Sequence, residues 1–205
     1  MAEATAAMRI IEDCRADALP LEELLIDGKP VLLKGIAGDW GLVKAGLRGT
    51  GEAMAYVRGF DSGKPVQYSY GEPGIAGRPF YNENFTELNF QVRRGGLGEV
   101  LDAISSHLDD ARPPTYYVAS LLVDGALPGF SAENDLRLAE RGIQAPPSIW
   151  IGNRVIASCH FDAPNNLACC AVGRREFTLF PPDQIDNLYP GPLDPTPGGQ
   201  AVSLV

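Results

Sequence analysis

From Ser148 onward the chain is cut into short, largely apolar segments separated by turn residues. Ser148–Gly152, Val155–Asp162, Asn166–Val172 and Arg175–Phe180 follow one another closely, with Gly173 between the last two. Short apolar segments bounded by turn residues read as successive strands with tight connections. Pro181–Pro182 stops the run, and Pro182–Leu188 reads as a helical turn. A Pro/Gly-rich loop over Pro190–Gly199 and an apolar segment, Ala201–Val205, complete the chain. The same punctuation runs throughout. Glycine (23) and proline (17) make up about a fifth of the 205 residues, against roughly 12% in an average protein. So many turns favour a β-rich, loop-rich fold over a helical bundle.

The first two thirds are mixed. Leu19–Ile26 reads as a helix that Asp27-Gly28-Lys29-Pro30 ends, and Pro30–Gly35 as a short apolar strand. Trp40–Ala45 suggests a helical turn, and Thr50–Val57 a helix with Thr50 as its N-cap. Lys64–Tyr70 alternates, with Val66, Tyr68 and Tyr70 on one face, and Leu88–Val92 reads as another strand. Leu97, Val100, Leu101, Ile104 and Leu108 form a helical stripe. Tyr116–Val123 reads as a strand and Ser131–Arg141 as a helix opened by Ser131. A chain of this length supports one sizeable core or at most two small domains.

Charge narrows the partners. Seventeen Lys and Arg against 26 Asp and Glu give a net charge of −9, so no basic face for nucleic acid is expected. Met1–Ile11 has neither the basic nor the apolar part of an export signal, and no stretch approaches the ~18 apolar residues of a membrane span. Cys14, Cys159, Cys169 and Cys170 form no CxxC pattern. They read as small buried residues in a reducing, cytoplasmic setting, with Cys169 and Cys170 on opposite faces of a strand.

The chemistry centres on Cys159-His160-Phe161-Asp162. In a strand, His160 and Asp162 would face the same side, where an imidazole and a carboxylate can share one divalent metal. With a second histidine this is the facial triad of non-haem Fe(II) oxygenases, which leaves an open face for co-substrate and O₂. A His-x-Asp triplet also arises by chance, and a histidine hydrogen-bonded to its neighbour is the plain alternative.

The surrounding residues add weight to the metal reading. Ser148–Gly152, His160–Leu167, Gly173–Gln184 and Leu188–Pro192, with Pro30–Gly35 and Asp39-Trp40 near the start, resemble the JmjC-type, cupin-like Fe(II)/2-oxoglutarate oxygenases. That family includes the asparaginyl hydroxylase that restrains hypoxia-inducible factor. The resemblance implies a mainly β fold with flanking helices, a cupin or double-stranded β-helix (jelly-roll) barrel. Residues 1–115 would lead into the barrel, and residues 116–205 would form its first part. His160 and Asp162 match the first two iron ligands. Arg175 and Tyr117 match the residues that anchor the distal carboxylate of 2-oxoglutarate, and Asn166 matches an amide near its other carboxylate. An arginine suits a carboxylate through two parallel hydrogen bonds. A solvated strand residue, an aromatic packed in the core and a turn asparagine are the plain readings of Arg175, Tyr117 and Asn166.

One part of the pattern is missing. The family's third ligand is a histidine on a later strand, and no histidine follows His160. The other histidine, His107, lies upstream on the predicted helix and matches no ligand. The chain also stops within an apolar segment, so the expectation is an interrupted barrel with its third ligand beyond Val205. Two readings follow: a hydroxylase acting on a protein or peptide side chain, with Fe(II) and 2-oxoglutarate, or a cupin-like binding module that holds no iron. A Zn or Mn isomerase of cupin type is disfavoured, because those gather several histidines and a glutamate in one motif. A homodimer is compatible with either main reading.

Overall fold

The computed structural model describes residues 8–205. Most of Met1–Ile11, read above as lacking an export signal, therefore lies outside the described residues. Strand β1 (Arg9–Ile11) pairs in parallel with β2 (Val31–Leu33). Between them runs helix α1 (Leu21–Asp27), which ends at Gly28 in the left-handed conformation, φ 60°. Its Leu21 joins Cys14 and Leu19 in a small separate core.

Helices α2 (Gly41–Arg48) and α3 (Thr50–Arg58) follow directly, then strand β3 (Val66–Gly71). Next come β4 (Gln91–Gly95), α4 (Leu97–Ser106), β5 (Thr115–Leu122), the one-turn α5 (Val123–Ala126) and β6 (Ser148–Gly152). The last four strands form one antiparallel sheet in the order β4-β3-β5-β6. Helix α4 carries the predicted stripe except for Leu108, which lies beyond the helix end and is 41% exposed. Leu97, Val100, Leu101 and Ile104 are each 2% exposed or less and cluster with Val66 and Val118 from the sheet and Leu42, Ala53 and Val57 from α2 and α3. Tyr68, Tyr116, Ile149 and Ile151 pack against the same cluster. By strand alternation, Ser69, Tyr117 and Trp150 therefore belong to the opposite face. There Tyr117 lies across from Ser69 on one side and Gly152 on the other.

A remote side chain locks the helical layer. Buried Asn134 accepts a hydrogen bond from the Leu42 N–H (2.9 Å), an otherwise orphaned donor in the first turn of α2. Its amide nitrogen donates to the Tyr56 hydroxyl and to the Phe130 carbonyl, both at 2.9 Å. Tyr56 in turn donates to Glu133 (2.8 Å). Gly41 belongs to this lock, since a Cβ there would run into the Tyr56 hydroxyl and Glu133.

Several expectations need correction. Gly49, not Thr50, occupies the N-cap position of α3, because α2 and α3 abut through this residue at φ 147°. The strand expected over Leu88–Val92 begins only at Gln91. The Asn89 side chain instead closes the preceding loop, accepting from Phe80 N–H (2.8 Å) and donating to the Arg78 carbonyl (3.1 Å). Ser131–Arg141 is not one helix but two short 3₁₀ turns, Phe130–Ala132 and Leu138–Arg141. Asn134 spends its side chain on the backbone of other segments, and Arg137 turns left-handed at φ 53°.

The largest departure follows Gly152. The segments Val155–Asp162, Asn166–Val172 and Arg175–Phe180 form no strands. A strand exists only through a neighbour's hydrogen bonds, and these segments find no ladder partner among the described residues. Their apolar positions stay exposed, Phe161 at 72%, Phe177 at 51% and Leu179 at 53%. Pro182–Leu188 is the expected helical turn. Ala201–Val205 is represented by a single bridge, Ser203 to Pro190.

Replacing Asn134 by alanine leaves the buried Leu42 N–H without a partner and takes from the Phe130 carbonyl one of its two donors, the other being Glu133 N–H (3.2 Å). The expected cost is about 2–4 kcal/mol of unfolding free energy, read as a lower urea midpoint at unchanged slope. A loss under about 0.5 kcal/mol would show that the lock is idle.

Candidate functional site

The site begins where β6 ends. Asn153 ties the turn to the start of β5, accepting from Tyr116 N–H (3.2 Å) and donating to the Pro114 carbonyl (2.7 Å). Ile156 N–H then donates to the Gly77 carbonyl (2.8 Å). The chain reaches buried Ser158, whose hydroxyl has no hydrogen-bond partner. Next, the Cys159 carbonyl accepts from Ser203 N–H (2.8 Å), which fastens this segment to the end of the chain.

His160 and Asp162 follow on irregular, exposed backbone, so the shared strand face expected for them is absent. Local contacts orient each one instead. His160 Nδ1 lies 2.7 Å from the Ser158 carbonyl. A carbonyl only accepts, so Nδ1 carries the proton and Nε2 presents a free lone pair. Asp162 Oδ2 accepts from the Asn166 amide (3.0 Å) and Oδ1 from the Gln200 amide (3.2 Å), so both carboxylate oxygens are braced by neutral donors. Outer hydrogen bonds of this kind fix the tautomer and orientation of metal-binding side chains.

Tyr117 senses the charge of Arg175 without a hydrogen bond between them. Burial pushes the Tyr117 phenol above its ordinary range, and the positive charge of Arg175 pulls it back. The Arg175 guanidinium rests over the Phe177 ring, 4.9 Å from its centroid. Among the described residues no carboxylate pairs with it, whereas its neighbour Arg174 pairs with Glu176 (3.3 Å). Asn166 is turned toward Asp162.

The structure separates His107 from this group. It caps the end of α4, with Nδ1 2.7 Å from an Asp110 oxygen and its ring stacked on Tyr116. All four cysteines are free. Cys14 is buried, and burial raises the Cys169 thiol pKa, as a small packed residue would have it. Cys170 is exposed, against expectation, because no strand forms there to bury it. Sequence reasoning missed two residues, Gln200 and Ser158. Gln200 lies at the end of a Pro/Gly loop that carries no pattern, and a lone serine before His160 carries none either.

The donors fit a divalent metal in kind, an imidazole with its Nε2 free and a braced carboxylate. They supply two protein positions. Among the described residues no group of three or more His, Cys, Asp or Glu side chains comes together. No helix among them is long and apolar enough to cross a membrane.

Removing the positive charge in Arg175→Gln is expected to raise the Tyr117 phenol pKa further, read by ultraviolet titration against a Tyr117→Phe control. The raised pKa also sets a pH dependence. Its stabilising contribution is complete below the unfolded tyrosine pKa of about 10 and is lost as pH rises through the higher folded value. An unchanged Tyr117 titration in Arg175→Gln would mean that the two groups do not meet.

Comparison with known proteins agrees with this architecture. The chain is 28% identical over 121 residues to the lysine-specific demethylase JMJ31 of Arabidopsis thaliana. That alignment covers 50% of this chain and 21% of the relative, so the chain spans about a fifth of the relative's length. Residues 16–205 match the family described as the cupin-like domain. The four-stranded antiparallel sheet with its helical layer is the part of that domain these residues build, and the chain belongs to the cupin-like domain family.

Proposed function

We propose that this chain carries part of the active site of an Fe(II)- and 2-oxoglutarate-dependent oxygenase that oxidises a side chain on a protein or peptide. In this reading the four-stranded sheet is one wall of a double-stranded β-helix barrel. The observation that carries it is the tautomer set at His160, because a histidine with Nδ1 engaged by a carbonyl is prepared to ligate through Nε2. His160 and Asp162 would hold the iron, with a third protein donor from outside these residues. Bound iron and 2-oxoglutarate supply oxidative decarboxylation coupled to oxidation of a C–H bond.

The chain's own residues then divide the work. Asn166 and Gln200 hold the Asp162 carboxylate in one orientation. Arg175 binds the distal carboxylate of 2-oxoglutarate through its guanidinium, and the neutral Tyr117 hydroxyl donates to the same group. A protonated phenol is a donor, and a tyrosine hydroxyl is protonated at neutral pH, which suits that role. The resemblance to the asparaginyl hydroxylase and the demethylase named among the relatives both point to a protein side chain as the oxidised group.

The second reading, a cupin-like module without iron, is favoured by the absence of a third donor beside His160 and Asp162 among the described residues. Anaerobic Fe(II) titration and succinate release from 2-oxoglutarate, both measured in a protein that also carries the third donor, separate the two. The oxygenase reading expects saturable Fe(II) binding that His160→Ala and Asp162→Ala each weaken more than tenfold. Gln200→Ala is expected to weaken it about tenfold, as for the loss of an outer-shell partner. If iron binds equally to wild type and His160→Ala, or to neither, the module reading stands.

A further inference from the structure

Gly152 ends β6 and stands directly across the ladder from Tyr117. Glycine is a poor strand residue, because it loses the most backbone freedom on folding and has no side chain to pack. Two usual reasons for one do not apply here. Its φ is not positive, so an L-residue could adopt its backbone conformation. It is exposed, so no buried core excludes a side chain.

What excludes a side chain is the ring across the ladder. A Cβ at position 152 would stand 3.0 Å from Tyr117 Cδ2, 3.0 Å from the Tyr116 carbonyl oxygen and 2.9 Å from a Val155 methyl carbon. Carbon atoms settle about 3.5–4.0 Å apart, so the ring and the methyl would both be too close. The backbone around the position is held. Asn153 grips the Tyr116 residue twice, accepting from its N–H (3.2 Å) and donating its own N–H to its carbonyl (3.4 Å). Val155 N–H donates to the Asn153 carbonyl (2.9 Å), and Ile156 N–H to the Gly77 carbonyl (2.8 Å). The Tyr117 side chain has no such hold. Among the described residues its hydroxyl makes no hydrogen bond, so the ring is the neighbour that would move.

The register that sets this pair is also fixed. Ala119 and Ser120 of β5 stand against Trp150 alone, a β-bulge with Ser120 at φ 50°. A bulge pins the pairing beside it, so Tyr117 does not slip to face Ile151 or Asn153.

We propose that Gly152 is a positioning residue for Tyr117: its missing side chain holds open the slot in which the ring lies, and so sets where the phenol oxygen stands. The inference rests on the assignment of Tyr117 to the distal carboxylate of 2-oxoglutarate. Gly152 acts only through the ring. With alanine in its place the ring swings away from β6, and the hydroxyl leaves its place as a donor.

The test is a double-mutant cycle of Gly152→Ala with Tyr117→Ala in the full chain, read by urea unfolding. Gly152→Ala is expected to cost at least about threefold less in the unfolding equilibrium constant once the ring is gone. The cycle cancels the stability that alanine gains by restricting the unfolded chain. Ultraviolet titration adds a readout that a merely structural glycine would not move. Burial raises the Tyr117 phenol, so a displaced ring should titrate closer to the ordinary tyrosine value, with Tyr117→Phe identifying the phenol. In a protein that also carries the third metal donor, 2-oxoglutarate affinity is measured anaerobically with Fe(II). Gly152→Ala should weaken it no more than Tyr117→Phe does, and adding Gly152→Ala to Tyr117→Phe should weaken it no further. Additive stabilities, an unchanged Tyr117 titration, or a further loss of affinity in that double variant would each overturn the proposal. Failure of 2-oxoglutarate to bind the wild type would overturn the oxygenase reading instead, while the cycle and the titration still decide whether Gly152 places the ring.

Discussion

A sheet has two faces, and one helical layer can cover only one of them. In this chain the layer is α4 backed by α2 and α3, and the cluster of Leu97, Val100, Leu101 and Ile104 decides which face it covers. Each such side chain contributes about 1.5–3 kcal/mol when removed from water. The strands must therefore turn Val66, Val118, Ile149 and Ile151 toward it. Alternation then leaves no choice for the intervening residues, and Tyr117 is delivered to the open face without any interaction of its own. The chemistry-bearing side of the sheet is a by-product of how its other side is buried.

The same distinction explains what could be read from the sequence. The α4 stripe and the Pro182–Leu188 turn were legible because each depends on a local period or a proline stop. Val155–Asp162 and Arg175–Phe180 are apolar enough for strands, yet composition states only what a strand would look like once paired. Pairing is nonlocal, and these segments meet no ladder among the described residues. Ser131–Arg141 failed for another reason. Its Asn134 looks like an ordinary helix residue in sequence, and only the fold reveals that it caps a helix far earlier in the chain.

The candidate site was legible by residue type more than by geometry. His160 and Asp162 were named from a spacing that assumes a strand. The structure orients them through a carbonyl two residues back and through two amides, one of them Gln200. Tyr117 and Arg175 carry only the resemblance, and the charge of Arg175 reaches the half-buried Tyr117 phenol through space. Gln200 had no pattern to betray it, because a glutamine that acts across a loop closure has no local signature.

The fastening between the Cys159 carbonyl and the Ser203 N–H sets a hierarchy of order within the chain. The helical layer and central sheet are held by dense apolar burial, whereas the His160 segment is held at one end by a bond across a long excursion. Closing such a loop costs entropy and gains few contacts, so this part belongs to the weakest cooperative unit of the domain. Gripping the Val202–Leu204 segment therefore favours order near His160, and the reverse, by the one coupling free energy this bond carries.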